Sequence, residues 1–218
     1  MSSRARTRDR WRLKKWYTVL ASSEFGNDEI GRIPADNPEK LLGRVIETSL
    51  SDITGDFSLL HIKLYFQIVS VEGDVAKTIF KGHDLTRDYL RSLIRRGSTR
   101  IDGIFKVTTK DGYTLRVSAI ALTRYRCKTS QERAIRRIMK EVIEAKARQL
   151  SFDEFVQQAV LGKIASEIYN EARKIYPLRK VEVRKSKLLF MPSGRKPIEE
   201  ILERAKVSIT VTASAEKQ

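Results

Sequence analysis

Ile62, Leu64, Phe66 and Ile68 alternate with Lys63, Tyr65, Gln67 and Val69, so an apolar face recurs at every second residue. Only a pleated strand puts residues i, i+2 and i+4 on one side, and such a strand has to bury that side under another layer. Tyr113, Leu115, Val117, Ala119 and Ala121 repeat the pattern against Arg116 and Ser118. This second run follows 101–109 across a Lys110-Asp111-Gly112 turn, and the first is joined to 75–80 across Gly73-Asp74, which predicts two antiparallel hairpins. Further strands are expected over 16–20 and 42–50, separated by a loop through Gly26, Asn27, Pro34, Asn37 and Pro38.

The covering layer is supplied by helical periodicity. One helix is predicted with Asp84 or Thr86 as N-cap, Leu85, Tyr89, Leu90, Leu93 and Ile94 as its buried stripe, and Gly97 as C-cap. At Thr129 the character changes: Thr129-Ser130-Gln131-Glu132 matches a capping box, and Ile135, Ile138, Met139, Val142 and Ile143 share one face out to Gln149. Ser151 and Glu154 form a second box. It opens a helical region carrying Phe155, Val156, Ala159 and Val160, then Ile164, Ala165, Ile168, Tyr169 and Ala172, broken at Gly162 and stopped by Pro177. A late strand follows over 179–189, then a short helix from Pro197 and an isolated strand at Val207, Ile209 and Val211.

The expected fold class is therefore α+β: an antiparallel, partly barrel-like sheet flanked by helices, with a basic N-terminal extension. The chain divides into a basic arm (1–15), a mainly β region with one arginine-rich helix (16–128), a helical region with the late strand (129–190) and a C-terminal tail (191–218). No internal repeat, heptad run or long linker cuts it further.

The arm has no apolar periodicity with which to offset the entropy of ordering, so it is expected to order only on a partner. Arg4, Arg6, Arg8, Arg10 and Arg12 fall on alternate positions before Lys14 and Lys15, opposed only by Asp9. In an extended chain alternate side chains repeat about every 6.6 Å, a comb of planar guanidinium groups suited to a phosphate backbone. The whole chain follows its head: 43 Lys+Arg against 27 Asp+Glu give a net charge of +16. Nucleic acid is the natural partner. A membrane is not expected, because the apolar runs 62–71 and 113–122 alternate and are only about ten residues long. The N-terminus lacks the apolar stretch of a secretory signal, and its acid counts against a transit peptide, so an intracellular protein is expected. Cys127, the one cysteine, excludes an internal disulfide and reads as a packed or surface residue in a reducing compartment.

Three further segments concentrate basic charge. Arg87, Arg91, Arg95, Arg96 and Arg100 sit on or just after the predicted helix, where i, i+4 spacing stacks 87, 91 and 95 on one face. Like charges there destabilise a free helix, so an anion is needed to make them favourable. Arg124, Arg126, Lys128, Arg133, Arg136, Arg137 and Lys140 run into the first turns of the long helix, where cations oppose the macrodipole and a phosphate oxyanion gains from it. The alternative is arginines lying over the sheet edge. The third segment, Arg173, Lys174, Arg179, Lys180, Arg184, Lys185 and Lys187, is common in any basic protein. Of the aromatics, Trp16 and Tyr17 are expected to begin the core, leaving Trp11 as the candidate for stacking on a base.

Catalytic signals are poor. His61 and His83 stand far apart, no zinc-ligand spacing occurs, and neither nucleotide-binding glycine fingerprint is present. No metal and no cofactor are expected. Gly82-His83-Asp84 reads as a turn plus N-cap, and Thr54-Gly55-Asp56-Phe57 as a turn. A metal-dependent nuclease would need Asp52, Asp56, Asp74, Asp84 and Asp102, scattered in sequence, to converge in space.

Taken together, Lys14-Lys15-Trp16-Tyr17, Gly43-Arg44-Val45, Gly55-Asp56-Phe57-Ser58, the run GHDLTRDYLRSLIRRG at 82–97, RIDGIFKVTTKDGY at 100–113 and YPLRKVEVRKSK at 176–187 resemble one family. It is the small-subunit ribosomal protein family of archaea and eukaryotes called S-three-a, or eukaryotic-type S-one. The resemblance covers residues 14–190 in order, and the length resembles archaeal members. It implies a structural, non-catalytic, cytoplasmic constituent of the small ribosomal subunit that takes part in translation. It also implies a place on the platform near the mRNA exit, with rRNA, neighbouring small-subunit proteins and mRNA as partners and no homo-oligomer. Arg87, Arg91, Arg95, Arg96 and Arg100 fall in the family's arginine-rich block, and Lys14 and Lys15 in its entry motif. The alternative is an RNA-binding or RNA-processing protein outside the ribosome.

Overall fold

The alternating runs pair as their patterns require. In the computed structural model, which describes residues 10–192 and Pro197 with the side chains of Arg10 and Arg12 excepted, β4 (Ile62–Glu72) and β5 (Val75–Leu85) form the first hairpin. β6 (Arg100–Thr108) and β7 (Thr114–Thr123) form the second. Ile62, Leu64, Phe66 and Ile68 are all buried, as are Leu115, Val117, Ala119 and Ala121. β3 (Val45–Ser49) pairs with β4 and is shorter than expected, because a turn closed through Gly43 precedes it and Leu50 already begins α1 (Leu50–Thr54). β1 (Lys15–Leu20) pairs with β2 (Glu29–Ala35), a strand hidden in the sequence by Gly31 and Pro34. Pro34 is tolerated because β2 lies at an edge, where a missing N–H breaks no ladder.

The late strand is the largest surprise. β8 (Leu178–Phe190) runs for 13 residues between β5 and β7, joining the two hairpins into one eight-stranded sheet. The sheet is mixed, since β1 runs parallel to β5 through Thr18–Val75 and Val19–Ala76. It is also not closed: the strand path ends at β6 on one side and at β2 and β3 on the other, so the expected partial barrel is not formed. The strand itself is expected from the sequence, where Val181 and Val183 alternate with charged residues, but its central place is not. Those two and Leu188 are buried, which suffices for a strand whose other face carries the charge.

At the join of β5 and β8 lies His83. The expectation of a turn and cap there is corrected: Gly82, His83 and Asp84 are strand residues paired with Lys187, Ser186 and Lys185. The imidazole is 1% exposed. Its Nε2 stands 3.0 Å from the Val183 carbonyl, which can only accept, so Nε2 carries the proton and Nδ1 accepts from the Ser186 hydroxyl at 2.7 Å. Burial holds the ring below its ordinary value of 6.5. An imidazole neutral when folded but protonated when unfolded contributes stability that is complete above the unfolded value and lost as pH falls below it. Chemical unfolding followed from about pH 7.5 to about pH 5.5 is expected to show a loss approaching 1.4 kcal/mol per pH unit below about pH 6.5. Burial raises the Glu24 carboxyl and works the other way, so the readout is the slope relative to His83→Gln, a polar side chain that can hydrogen-bond but does not titrate. Equal slopes would contradict this assignment.

The helices cover one face of the sheet. α3 (Thr129–Gln149) buries Ile135, Met139, Ile143 and Ala147, a four-residue spacing that keeps one stripe against β6 and α5. Its cap stands one residue earlier than expected: the Lys128 N–H donates to Gln131 Oε1 at 2.9 Å. α4 (Phe152–Val160) starts with the expected Ser151–Glu154 box, Gly162 breaks the helix in a left-handed conformation, and α5 (Lys163–Ala172) packs on β8. Phe66, Phe80, Phe152 and Phe155 are buried in the main core, and Tyr17, Val19, Ala35, Leu41, Ile68 and Ala76 form a smaller one. The helix expected from Pro197 and the strand at Val207, Ile209 and Val211 lie, Pro197 apart, outside the described residues.

Candidate nucleic-acid interface

Three chain segments distant in sequence meet where β7 ends and β8 begins. The link is Thr123, fully buried. Its N–H donates to the Thr99 carbonyl at 3.0 Å, while the Thr99 N–H donates to the Thr123 hydroxyl at 2.8 Å. That hydroxyl also stands 2.5 Å from the Tyr125 carbonyl, and the Thr99 hydroxyl accepts from the Cys127 N–H at 3.2 Å. The Arg124 N–H donates to the Pro177 carbonyl at 3.0 Å, and the Tyr176 hydroxyl to the Arg126 carbonyl at 2.8 Å. Segments 97–99, 124–127 and 176–178 are thereby fixed against one another. Sequence reasoning missed Thr99 and Thr123, whose only visible signal was two threonines at strand ends.

What these bonds position is a cleft of about 460 Å³ lined by Arg95, Arg96, Ser98, Arg124, Tyr125, Leu178 and Arg179. It unites members of all three basic segments. Tyr125 is 60% exposed, with the Arg124 guanidinium 5.8 Å from its ring centre. Nη2 of Arg179 is buried with no hydrogen-bond partner among the described residues. A buried N–H left without an acceptor costs about 1–3 kcal/mol.

The expected stacking of Arg87, Arg91 and Arg95 on one helical face is corrected. α2 (Arg87–Leu93) has seven residues, and Ile94 already has extended dihedrals. Arg87 and Arg91 remain exposed on α2, Leu90 is its buried residue, and Leu85 belongs to β5. Continuing the helix would align three like charges at mutually repulsive spacing. Arg95 and Arg96 instead turn toward the cleft, and Gly97 follows in a left-handed conformation.

Arg126 and Lys128 lie on the segment leading into α3, and Arg133 and Arg137 on its exposed first turns. Among the described residues no carboxylate pairs with Arg87, Arg91, Arg95, Arg96, Arg124, Arg126, Lys128, Arg133, Arg137 or Arg179. Two candidates are engaged within the fold: Arg100 pairs with Asp102 at 3.0 Å, and Arg136 Nε donates to the Asp102 carbonyl at 2.9 Å. In the third segment Lys174, Lys180 and Lys185 are paired with Glu171, Glu182 and Asp84.

Arg4, Arg6 and Arg8 lie outside the described residues, as do the side chains of Arg10 and Arg12. At the root of the arm Tyr17 is buried, but Trp16 is not the core residue expected: it is 57% exposed, as is Trp11. Lys14 stands over Trp11, and Lys15 is exposed at the start of β1.

The acids do not assemble into a metal site. Asp52 caps α1, Asp56 caps the next turn, Asp84 holds Lys185 and Asp102 holds Arg100. No cluster of three His, Cys, Asp or Glu side chains able to hold a metal occurs among the described residues. Nor is any described helix long and apolar enough to cross a membrane.

An open basic sheet covered by helices, with arginines gathered at one end, is the frame in which the comparisons with known proteins fall. The chain matches the Ribosomal S3Ae family over residues 2–192 and belongs to it. It is 58% identical over 194 residues to small ribosomal subunit protein eS1 of Desulfurococcus amylolyticus, covering 89% of this chain and 91% of the relative. It is also 58% identical to the eS1 proteins of Staphylothermus marinus (87% of this chain, 90% of the relative) and Aeropyrum pernix (87% and 91%). Proteins of this family are structural ribosomal components, and this chain is one of them rather than an enzyme.

Proposed function

We propose that the chain is a cytoplasmic structural constituent of the small ribosomal subunit that holds rRNA by its backbone phosphates. The observation that carries this reading is the convergence of Arg95, Arg96, Arg124 and Arg179, from three separate segments, around one cleft with no acid paired to them among the described residues. Guanidinium groups so placed contact phosphate oxygens bidentately and read A-form shape rather than base sequence. Arg87 and Arg91 on α2, Arg126 and Lys128 before α3, and Arg133 and Arg137 on α3 offer further exposed cations, and the arm from Arg4 to Lys15 adds further phosphate contacts. Arg100 and Arg136 contribute less, because Asp102 already engages them.

The resemblance supports a place on the platform near the mRNA exit, beside neighbouring small-subunit proteins and within reach of mRNA, as a single copy. A processing enzyme outside the ribosome is the weaker reading, since four of the five candidate aspartates are committed to caps and ion pairs. Sedimentation tests the proposal: the chain is expected to travel with small-subunit particles at moderate salt and to leave them at high salt. A chain that stays at the top of the gradient at every salt concentration would refute it.

A further inference from the structure

We propose that Trp11 and Trp16 form a stacking platform for an unpaired RNA base at the root of the basic arm. The inference rests on the rRNA-binding reading above and deepens it, because it names single-stranded nucleotides as the target of this part of the surface. The two rings meet edge to face, with centroids 6.4 Å apart and planes at 83°. Each is 57% exposed. Lys14 Nζ sits 4.3 Å from the centre of the Trp11 ring, so a cation is already fixed beside the aromatic faces.

The local fold accounts for this exposure. In β1, Tyr17 and Val19 point into the smaller core, which places Trp16 on the opposite side, across from Pro34 of β2. β2 is an edge strand, so among the described residues no further strand lies beyond it. A short 3-10 turn (Arg10–Leu13) brings Trp11 back over Trp16, closed by the Lys14 N–H donating to the Trp11 carbonyl at 3.1 Å. The pair is thus held by backbone geometry and not merely left over at a frayed end.

Charge decides the occupant. The arm that runs into this pair carries Arg4, Arg6, Arg8, Arg10 and Arg12, and Lys14 and Lys15 flank the rings. A polyanion drawn there brings its bases within reach of the indoles, and every base has a π-face to offer. A duplex keeps its base faces stacked on each other, so the ligand is a single strand, a loop or a bulge.

These are the only two tryptophans in the chain, so intrinsic tryptophan fluorescence reports on this platform alone. The experiment titrates the full-length protein with an end-labelled single-stranded RNA of about ten nucleotides, and with a duplex of equal charge, reading label anisotropy and tryptophan emission together. The single strand is expected to quench emission in step with binding, and the duplex to bind with little quenching. Trp16→Leu and Trp11→Leu are each expected to weaken single-strand affinity about tenfold and leave duplex affinity unchanged, while Trp16→Tyr retains most of it. Single-strand binding without quenching, or equal losses for strand and duplex, would overturn the platform and leave the phosphate reading intact. A tryptophan-dependent self-association with RNA-insensitive emission would reassign the pair to a protein contact. Absence of any RNA binding at low salt would instead remove the rRNA reading on which this one stands.

Discussion

Raising monovalent salt from about 50 mM to about 200 mM is expected to weaken binding of the full chain to structured small-subunit rRNA by about 10³–10⁵, if about 6–10 phosphates are neutralised. The effect is large because each phosphate contact releases condensed counterions, and the free energy of that release shrinks as bulk salt rises. The structure says which side chains should carry it. Arg95, Arg96 and Arg124 line the cleft without carboxylate partners, so changing all three to Ala is expected to flatten the log-affinity against log-salt slope by two to three units. Arg100→Ala and Arg136→Ala are expected to change it by less than one unit each, because those guanidinium groups are held by Asp102. Filter binding across a salt series distinguishes the two sets. Equal slopes for both would show that binding depends on net charge alone and not on the cleft. The cleft arginines 95, 96 and 124 are exposed, so unfolding midpoints should stay unchanged and the loss cannot be attributed to misfolding.

The parts of this surface legible in sequence were those carried by local patterns. The 62–68 and 115–121 alternations set strand faces directly, and the Ser151–Glu154 box marked the start of α4 to the residue. What escaped was long-range. β8 was recognised as a strand, but nothing local shows that it would insert between β5 and β7, some hundred positions from one partner. Its placement follows from two hairpins each needing a neighbour for an open edge. β2 was concealed by Pro34, since local rules disfavour proline in a strand without knowing that the strand lies at an edge. The basic residues were all visible, yet they were grouped by closeness in sequence. The actual cleft draws on Arg95, Arg124 and Arg179, brought together by Thr99 and Thr123, and no spacing rule relates those positions. Trp16 was misplaced for a related reason: with Tyr17 beside it, strand alternation allows only one of the two to face inward, and the smaller core took Tyr17.

Replacing Gly82 by Ala is expected to destabilise the fold by about 1–3 kcal/mol, a sizeable part of the roughly 5–15 kcal/mol that holds a domain together. A Cβ at this position would stand 2.3 Å from the Ser186 carbonyl oxygen and 3.2 Å from the Lys187 Cα. Both are backbone atoms of the adjoining strand, so no side-chain rotation relieves the overlap, and β5 and β8 have to separate. Their ladder is short, pairing Gly82 with Lys187, His83 with Ser186 and Asp84 with Lys185. Prising them apart also strains the two buried hydrogen bonds of His83, each worth about 0.5–1.5 kcal/mol. Gly31→Ala supplies the control: a Cβ there meets nothing within 4 Å, and its stability should lie within about 0.5 kcal/mol of the parent chain. Urea unfolding of the three proteins decides the matter, and a Gly82→Ala chain as stable as Gly31→Ala would contradict the register of β5 against β8. The consequence reaches the interface as well, because β8 is the strand that delivers Arg179 to the cleft. A Gly82→Ala chain that remains folded should therefore bind structured RNA more weakly, although the substitution removes no charge and touches no phosphate.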